Sequence, residues 1–195
     1  MFAYCGNNSV RYVDYTGEAR TTTLYDSSGS SEANTNRVKY NVPLYKQGKY
    51  KLCWAYCQAM VESWDANKTL SARKAFKRVK EIAVACYGET NWNQGGWPSN
   101  RGARRTISSI EDLYYLLRGQ GPVYAYYSNG KTGKNASAHL VVVTGVDLDR
   151  GIVYTNNPWG IKGKQTFNQF KNGVAKRRNQ SSQGLKFRYV YLIDY

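Results

Sequence analysis

The sequence contains few of the residues that build metal and cofactor sites. Its 195 residues include a single histidine, His139, and only four cysteines: Cys5, Cys53, Cys57 and Cys86. The cysteines fit no CxxC pattern, and no histidine lies close enough in sequence to complete a zinc motif. We therefore expect no metal site and no bound cofactor.

Long apolar runs are also missing. No stretch approaches the roughly 18 apolar residues that a membrane span requires, so we expect no transmembrane segment. The first residues, MFAYCGNNSVRYVDY, lack a basic segment followed by an apolar one, so no signal peptide is visible. Hydrophobic residues still make up 42% of the chain, which excludes wholesale disorder and is enough for one core.

Acidic residues are scarce. The chain has 13 Asp and Glu residues and 28 Lys and Arg residues, so the net charge is +15 and the pI is about 9.7. A chain of this charge is attracted to anionic partners and surfaces. With 18 tyrosines, a basic module that binds nucleic acid or another anionic surface is one alternative for its function.

The C-terminal part carries much of the positive charge, including Lys176-Arg177-Arg178. We interpret residues 171–188 as a solvated basic hairpin, because charge runs are usually solvated faces. Attraction to an acidic substrate, a membrane or a glycan is the alternative.

A domain boundary is predicted near residue 37. Residues 1–25 alternate apolar and polar side chains as in one or two strands, and residues 26–37, DSSGSSEANTNR, have the composition of a linker. We predict an extension or pro-segment at 1–37 and the main domain at 38–195.

The main domain is predicted to be α+β, with helices first and a sheet afterwards. One helix starts at Cys53 and a second covers 70–86; a third is SSIEDLYYLLRGQ, with Ser108 as its cap and Glu111 completing a capping box. The predicted strands are GPVYAYYS, HLVVVTGVDL, GIVYTNN and LKFRYVYLIDY.

Cys53 is the best candidate for a nucleophile. It opens a helix, where unpaired N–H groups favour an anion, so we expect a lowered thiol pKa and a place for an oxyanion. Gln47 stands six residues earlier and can supply a second amide donor. The alternative is a buried structural thiol, which is common for a lone cysteine.

His139 leads the apolar run His-Leu-Val-Val-Val-Thr-Gly and is the candidate base. A third group should orient the imidazole. Asn157 follows at the end of the next strand, where its carbonyl oxygen could accept the Nδ1 proton. Asn156 competes for this role, because strand alternation points the two side chains in opposite directions.

In this order, Gln47, Cys53-Trp54-Ala55, His139 and Asn157-Pro158-Trp159 resemble the papain-like cysteine peptidases. They are most similar to the compact bacterial branch of C39-like peptidases, staphopain-like enzymes and plant-pathogen effector proteases. Gly121-Pro122-Val123 before the histidine strand also fits that branch. The resemblance covers roughly residues 40–160.

The resemblance implies a cysteine endopeptidase that forms an acyl-enzyme and acts on a protein or peptide. It implies a helical lobe with Cys53 as nucleophile and an antiparallel sheet lobe with His139 as base and Asn157 as orienter. Gln47 and the Cys53 N–H would form the oxyanion hole. A secreted, monomeric bacterial protease or effector is expected, and related folds also include Cys-His deamidases and acyl transferases.

Substrate-binding residues are expected between the two lobes. Trp54 and the loop with Gly95, Gly96 and Trp97 are the candidates. The alternative for this loop is a glycine turn anchored by a buried tryptophan.

The remaining cysteines are interpreted as packed thiols. Cys57 lies one helical turn after Cys53, so a resolving redox role is the alternative. Cys86 ends the second predicted helix, and a Cys57–Cys86 bridge stays open.

Overall fold

A computed structural model describes residues 36–93, 102–176 and 184–192 of the chain. The predicted N-terminal strands, Cys5, the loop with Gly95, Gly96 and Trp97, and Arg177-Arg178 lie outside these described residues. The expectations for them, including the role of residues 1–37, therefore stay predictions.

The described chain contains four helices and seven strands. In chain order they are β1 (Arg37–Lys39), α1 (Cys53–Asp65), α2 (Ala72–Asn91), β2 (Arg104–Arg105), α3 (Ile110–Gln120), β3 (Val123–Ser128), β4 (Ala138–Asp147), β5 (Ile152–Asn157), β6 (Ile161–Thr166), α4 (Phe167–Asn172) and β7 (Lys186–Tyr191). The α+β prediction is confirmed. None of the helices in the described ranges is long and apolar enough to cross a membrane.

All strand pairs in the sheet are antiparallel. The order is β2-β7-β3-β4-β5-β6, and β1 pairs with β4 beside this path. Two buried clusters lie against the sheet. One contains α1 and α2 with Tyr124, Leu140 and Val142; the other contains α3 and α4 with Val123, Val141 and Val143. This division follows from strand alternation, because neighbouring residues of β3 and β4 face opposite sides.

Helix α1 is the central helix of the first cluster. Buried side chains surround most of it, as expected for a helix enclosed by other elements. It packs on α2 and on β4. In contrast, α2 is amphipathic: Ala75, Val79, Ile82 and Ala83 are buried, and its basic residues face outward.

The predicted start of α3 is off by one residue. Ser109, not Ser108, is the cap, and its hydroxyl accepts from the Asp112 N–H while Asp112 accepts from the Ser109 N–H. Asp112 thus replaces Glu111 in the capping box. A serine pair followed by two acids allows either register, and the shorter Asp side chain also reaches the Ser108 N–H.

Gly145 is required by the close approach of β1. A Cβ atom there would lie 2.5 Å from the Val38 carbonyl oxygen and 2.8 Å from the Lys39 Cα. Any larger residue would push β1 away from β4. The glycine that ends the His-Leu-Val-Val-Val-Thr-Gly run therefore has a structural reason.

The four predicted strands are confirmed, but four elements were not predicted. β1 and β2 are only three and two residues long. β6, IKGKQT, is polar on its exposed side, so its alternation is weak. α4 has six residues and is capped by Thr166, whose hydroxyl accepts from the Gln169 N–H.

Candidate active site

The candidate nucleophile is the first residue of α1. Leu52 before it offers no side-chain cap to the helix, so the first N–H groups are left for other acceptors. Backbone N–H groups of Cys53 itself and of Trp54 bond to the Cys53 thiol and lower its pKa in part. The helix start thus surrounds the sulfur with amide donors.

Strand β4 meets α1 at Leu140, the residue after His139. The Leu140 backbone amide acts to lower the pKa of the Cys53 thiol. One turn further along α1, the buried Cys57 thiol donates to the Leu140 carbonyl at 3.3 Å. The backbone of Leu140 therefore ties the first turns of α1 to the histidine strand.

His139 and Asn157 are in direct contact. His139 Nε2 lies 2.8 Å from Asn157 Oδ1, and both side chains are buried, at 4% and 0% exposure. Asn157 Oδ1 also accepts from the Trp159 N–H at 3.0 Å, while its Nδ2 donates to the Ala175 carbonyl at 2.7 Å. These two bonds fix which end of the amide faces the imidazole.

The orientation of Asn157 determines the imidazole tautomer. Because Oδ1 is an acceptor, His139 must donate from Nε2. The remaining nitrogen, Nδ1, then carries the lone pair. The expectation that Nδ1 would bond to the asparagine is wrong: the strand presents Nε2 to Asn157 and leaves Nδ1 as the basic atom.

Trp159 covers the histidine. Its ring stacks on the imidazole with centroids 4.1 Å apart and an interplanar angle of 22°. The tryptophan excludes water from one face of the imidazole, while its backbone N–H holds Asn157. One residue thus supports both members of the hydrogen bond.

Asn156 has a different task from Asn157. Its Nδ2 donates to the Val42 carbonyl at 2.8 Å and to the Pro43 carbonyl at 3.3 Å. Strand alternation separates the two asparagines, as predicted. Asn156 therefore anchors the extended segment that leads to Gln47.

Gln47 is tied to the same short segment of the chain. Its backbone N–H donates to the Pro158 carbonyl at 2.7 Å. Its side-chain Nε2 makes only a long contact of 3.5 Å with the Tyr50 carbonyl. The amide is thus positioned by its backbone and has a donor that a stronger acceptor could take.

Burial shifts both titratable groups toward their neutral forms. It lowers the pKa of His139 to about 4, although the bond to Asn157 acts in the opposite direction. It raises the pKa of the Cys53 thiol, against the backbone N–H bonds. The expectation of a lowered Cys53 pKa is therefore wrong, because desolvation outweighs the helix terminus.

Trp54 lies in the core. Its side chain is 1% exposed and meets Tyr87 edge-to-face, with centroids 6.0 Å apart. The expectation that Trp54 contacts the substrate is wrong, because its side chain has almost no exposed surface. Its role is to pack α1 against α2.

The other described cysteines are free thiols. Cys57 is buried and Cys86 is partly exposed, so they form no bridge with each other. Within the described ranges, no group of three or more His, Cys, Asp or Glu side chains is arranged to hold a metal ion.

Sequence reasoning missed several supporting groups. The Leu140 amide, the Pro158 and Ala175 carbonyls and the Asn156 anchor are backbone contacts or depend on them, which no side-chain pattern reveals. The stacking of Trp159 on His139 could have been expected from the sequence. A tryptophan two positions after the orienting asparagine can reach the histidine that this asparagine contacts.

Comparison with known families gives an independent result. A family model described as papain-like cysteine protease AvrRpt2 matches residues 34–175, which is most of the chain. The matched range includes Gln47, Cys53, His139 and Asn157. A search of curated proteins finds no match.

Proposed function

Because the chain belongs to the papain-like cysteine protease AvrRpt2 family, we propose that it hydrolyses peptide bonds with Cys53 as nucleophile and His139 as general base. It is a cysteine protease, and its substrates are proteins or peptides. The observation that carries the residue assignment is the contact of α1 with Leu140, the residue after His139. The Leu140 carbonyl accepts from the thiol of Cys57, which lies one helical turn after Cys53, at 3.3 Å.

In the first step, the Cys53 sulfur attacks the peptide carbonyl carbon and its proton passes to His139 Nδ1. The tetrahedral intermediate collapses as the imidazolium returns the proton to the leaving amine, which gives an acyl-enzyme and a free amine. Water then attacks the thioester with Nδ1 again as base. The acid product leaves, and the neutral thiol is restored.

The resting pair is neutral in this proposal. Both pKa shifts disfavour a separated thiolate and imidazolium before substrate binds. Proton transfer therefore accompanies the attack of sulfur. Asn157 keeps the lone pair on Nδ1 and stabilises the imidazolium by accepting from Nε2.

The oxyanion would bind between the Cys53 backbone N–H and Gln47 Nε2. The weak 3.5 Å contact of Nε2 with the Tyr50 carbonyl is replaced by a charge-assisted bond when the oxyanion forms. That gain exists only in the transition state, which is what raises kcat.

We further propose that the protein is a monomeric, secreted bacterial effector. The support is the match to the papain-like cysteine protease AvrRpt2 family, together with the resemblance of its motifs to effector proteases. A deamidase or acyl transferase would use the same acyl-enzyme but a different acceptor or substrate. No contact in the described site favours either of them over hydrolysis.

The decisive experiment compares cysteine variants on a casein or peptide substrate. Cys53→Ala is expected to lower kcat/KM by at least about a thousandfold, because no other group supplies the nucleophile. Cys86→Ala is the matched control, since Cys86 is also a partly exposed free thiol. Turnover that survives Cys53→Ala would refute the assignment.

Alkylation with iodoacetamide tests the neutral pair. Labelling of Cys53, followed by mass spectrometry, should be slow at pH 7 and rise with pH toward a raised thiol pKa. A flat and fast profile between pH 5 and 8 would show a preformed ion pair instead.

A further inference from the structure

A cationic pocket lies at the end of β4 that carries His139. Its volume is about 470 Å³, and it opens to solvent. It lies where the β3–β4 turn meets β7. The side chains that matter are those of Tyr126, Ser128, Lys131, Ala138, Arg188 and Tyr189.

The pocket and the site share strands β3 and β4. Ala138, on its wall, directly precedes His139, and Tyr126 lies opposite Leu140 in the strand register. The Leu140 carbonyl in turn accepts from the thiol of Cys57, one helical turn after Cys53, at 3.3 Å. A residue next to the scissile bond of a bound peptide is therefore within reach of this pocket.

The charge of the pocket is positive and uncompensated. Lys131 and Arg188 are exposed cations on its wall, and no acidic side chain lines it. Among the described residues, neither cation has a salt bridge, whereas Arg78 and Arg150 on other surfaces do. An anionic group in the pocket would meet two cations and no repelling carboxylate.

Arg188 is held in a fixed orientation. Its Nε donates to the Ser128 hydroxyl at 3.1 Å, and Nη2 makes a 3.5 Å contact with the Ser128 carbonyl. A Cβ atom at Gly130 would lie 2.7 Å from Nη2, so the glycine makes room for the guanidinium. These contacts leave the Nη1 hydrogens for an external acceptor.

The turn that carries Lys131 is also ordered. Asn129 Oδ1 accepts from the Lys131 and Ser137 N–H groups, each at 3.1 Å. Its Nδ2 donates to the Asn135 carbonyl at 2.8 Å. The pocket wall is therefore formed before a ligand arrives, which lowers the entropic cost of binding.

The two tyrosines of the pocket do not form a stacking site for an aromatic side chain of the substrate. Tyr126 and Tyr189 stack on each other with centroids 4.9 Å apart and an angle of 8°, and Arg104 lies over the Tyr189 ring at 5.1 Å. Because these contacts occupy ring faces, a substrate ring has little room to stack. The tyrosines serve as a rigid wall beneath the cations.

We propose that this pocket binds the carboxylate of an Asp or Glu side chain that flanks the scissile bond of the substrate. The inference rests on the proposed function, since it takes Cys53 and His139 as the point of cleavage. It makes the enzyme selective for acidic sequences, in keeping with its net charge of +15.

The test uses the full chain and a quenched fluorescent peptide that it cleaves. Glu, Gln, Lys or Phe is placed at each of the three positions on either side of the cleaved bond. At one position, kcat/KM for Glu should exceed that for Lys by at least about tenfold, the size of a charge-assisted hydrogen bond. Arg188→Gln and Lys131→Gln should each reduce this ratio, and the double variant should bring it close to one.

Lys77→Gln is the matched control, because Lys77 is an exposed lysine on α2 that does not line the pocket. It should keep the full ratio. Equal rates for Glu, Gln and Lys at every position would overturn the proposal. So would a higher rate for Phe than for Glu at each of them, or a Glu preference that survives the double variant.

A binding measurement tests the pocket separately from the assignment of Cys53 as nucleophile. Cys53→Ala should bind the Glu peptide more tightly than the Lys peptide in fluorescence anisotropy, and added salt should reduce the difference. If Cys53→Ala still cleaves, the proposed nucleophile is wrong, while the binding difference continues to test the pocket. If cleavage requires Cys53 but binding ignores peptide charge, only the pocket assignment fails.

Discussion

The two halves of the proposed catalytic pair are held in different ways. On the sheet side, His139 is buried, bonded to Asn157 at 2.8 Å and covered by Trp159. On the helix side, the Cys53 residue is partly exposed although burial of its thiol raises the pKa, and Gln47 makes only one long side-chain contact. The base is fixed before substrate binds, whereas the groups that meet the substrate keep unused donors.

This difference follows from what each half must do. The imidazole needs one tautomer and one direction, which a closed set of hydrogen bonds provides. The oxyanion donors must gain a bond in the transition state that they lack at rest. A site in which Gln47 was already well bonded would lose that gain.

The largest expected effect comes from removing the unused donor. Gln47→Ala should lower kcat by about 100- to 1000-fold with little change in KM, since one oxyanion donor is lost. Gln47→Glu keeps the shape and the backbone bond to Pro158, but it replaces the donor with a carboxylate. It should lose at least as much. Full kcat in either variant would show that Gln47 is not a donor to the oxyanion.

The next effect comes from disturbing the hydrogen bonds that hold His139 and Asn157. Asn157→Asp should cost about 1–3 kcal/mol of unfolding free energy, because a carboxylate oxygen would face the Ala175 carbonyl in place of Nδ2–H. The new charge should also raise the His139 pKa. Urea denaturation measures the first effect, and the imidazole Cε1–H NMR signal measures the second.

Asn156→Asp is the matched control for this variant. It should also destabilise the protein, since Nδ2 of Asn156 bonds to the Val42 carbonyl. Its charge lies on the opposite face of β5, so the His139 pKa should stay near its original value. An equal rise of the His139 pKa in both variants would contradict the placement of the two asparagine side chains on opposite faces of β5.

The last effect is a pH dependence of the free energy of unfolding that comes from His139 alone. Its pKa of about 4 in the fold lies below the ordinary value of about 6.5. The unfolded chain therefore binds the proton first, and stability is lost as the pH falls from about 6.5 toward 4. The loss is at most about 3 kcal/mol.

The measurement compares the parent with His139→Gln, so that titrating carboxylates cancel. The parent should lose more unfolding free energy than the variant over this pH range. Because the chain has one histidine, its single imidazole signal gives the pKa directly. A value above 6.5 would contradict the burial argument and favour an ion pair.

Much of the architecture could be predicted because its signals are local. The start of α1 at Cys53, the buried run of β4 and the opposite faces of Asn156 and Asn157 follow from periodicity. The polar strand β6 and the short helix α4 were missed, because few apolar residues mark them. The Ser108/Ser109 ambiguity shows that a cap has a one-residue register that composition does not determine.

The electrostatics of the site could not be predicted in the same way. A cysteine at a helix start has a lowered pKa only while the sulfur stays solvated, and the sequence does not report its burial. The imidazole tautomer likewise depends on the Ala175 carbonyl and the Trp159 N–H, which come from the three-dimensional path of the backbone. Trp54 was misjudged for the same reason, since its motif did not reveal the packing of α2.

The short Asn156-Asn157-Pro158 segment has a mechanical consequence. Asn156 anchors the chain before Gln47, Asn157 bonds to His139, and the Pro158 carbonyl accepts from the Gln47 backbone N–H. The proposed oxyanion donor and the imidazole are therefore held by the same three residues. Errors in their relative alignment are thereby suppressed. The Cys57–Leu140 bond ties α1 to β4 next to the histidine. The alignment of nucleophile and base therefore depends on how this helix lies against this strand.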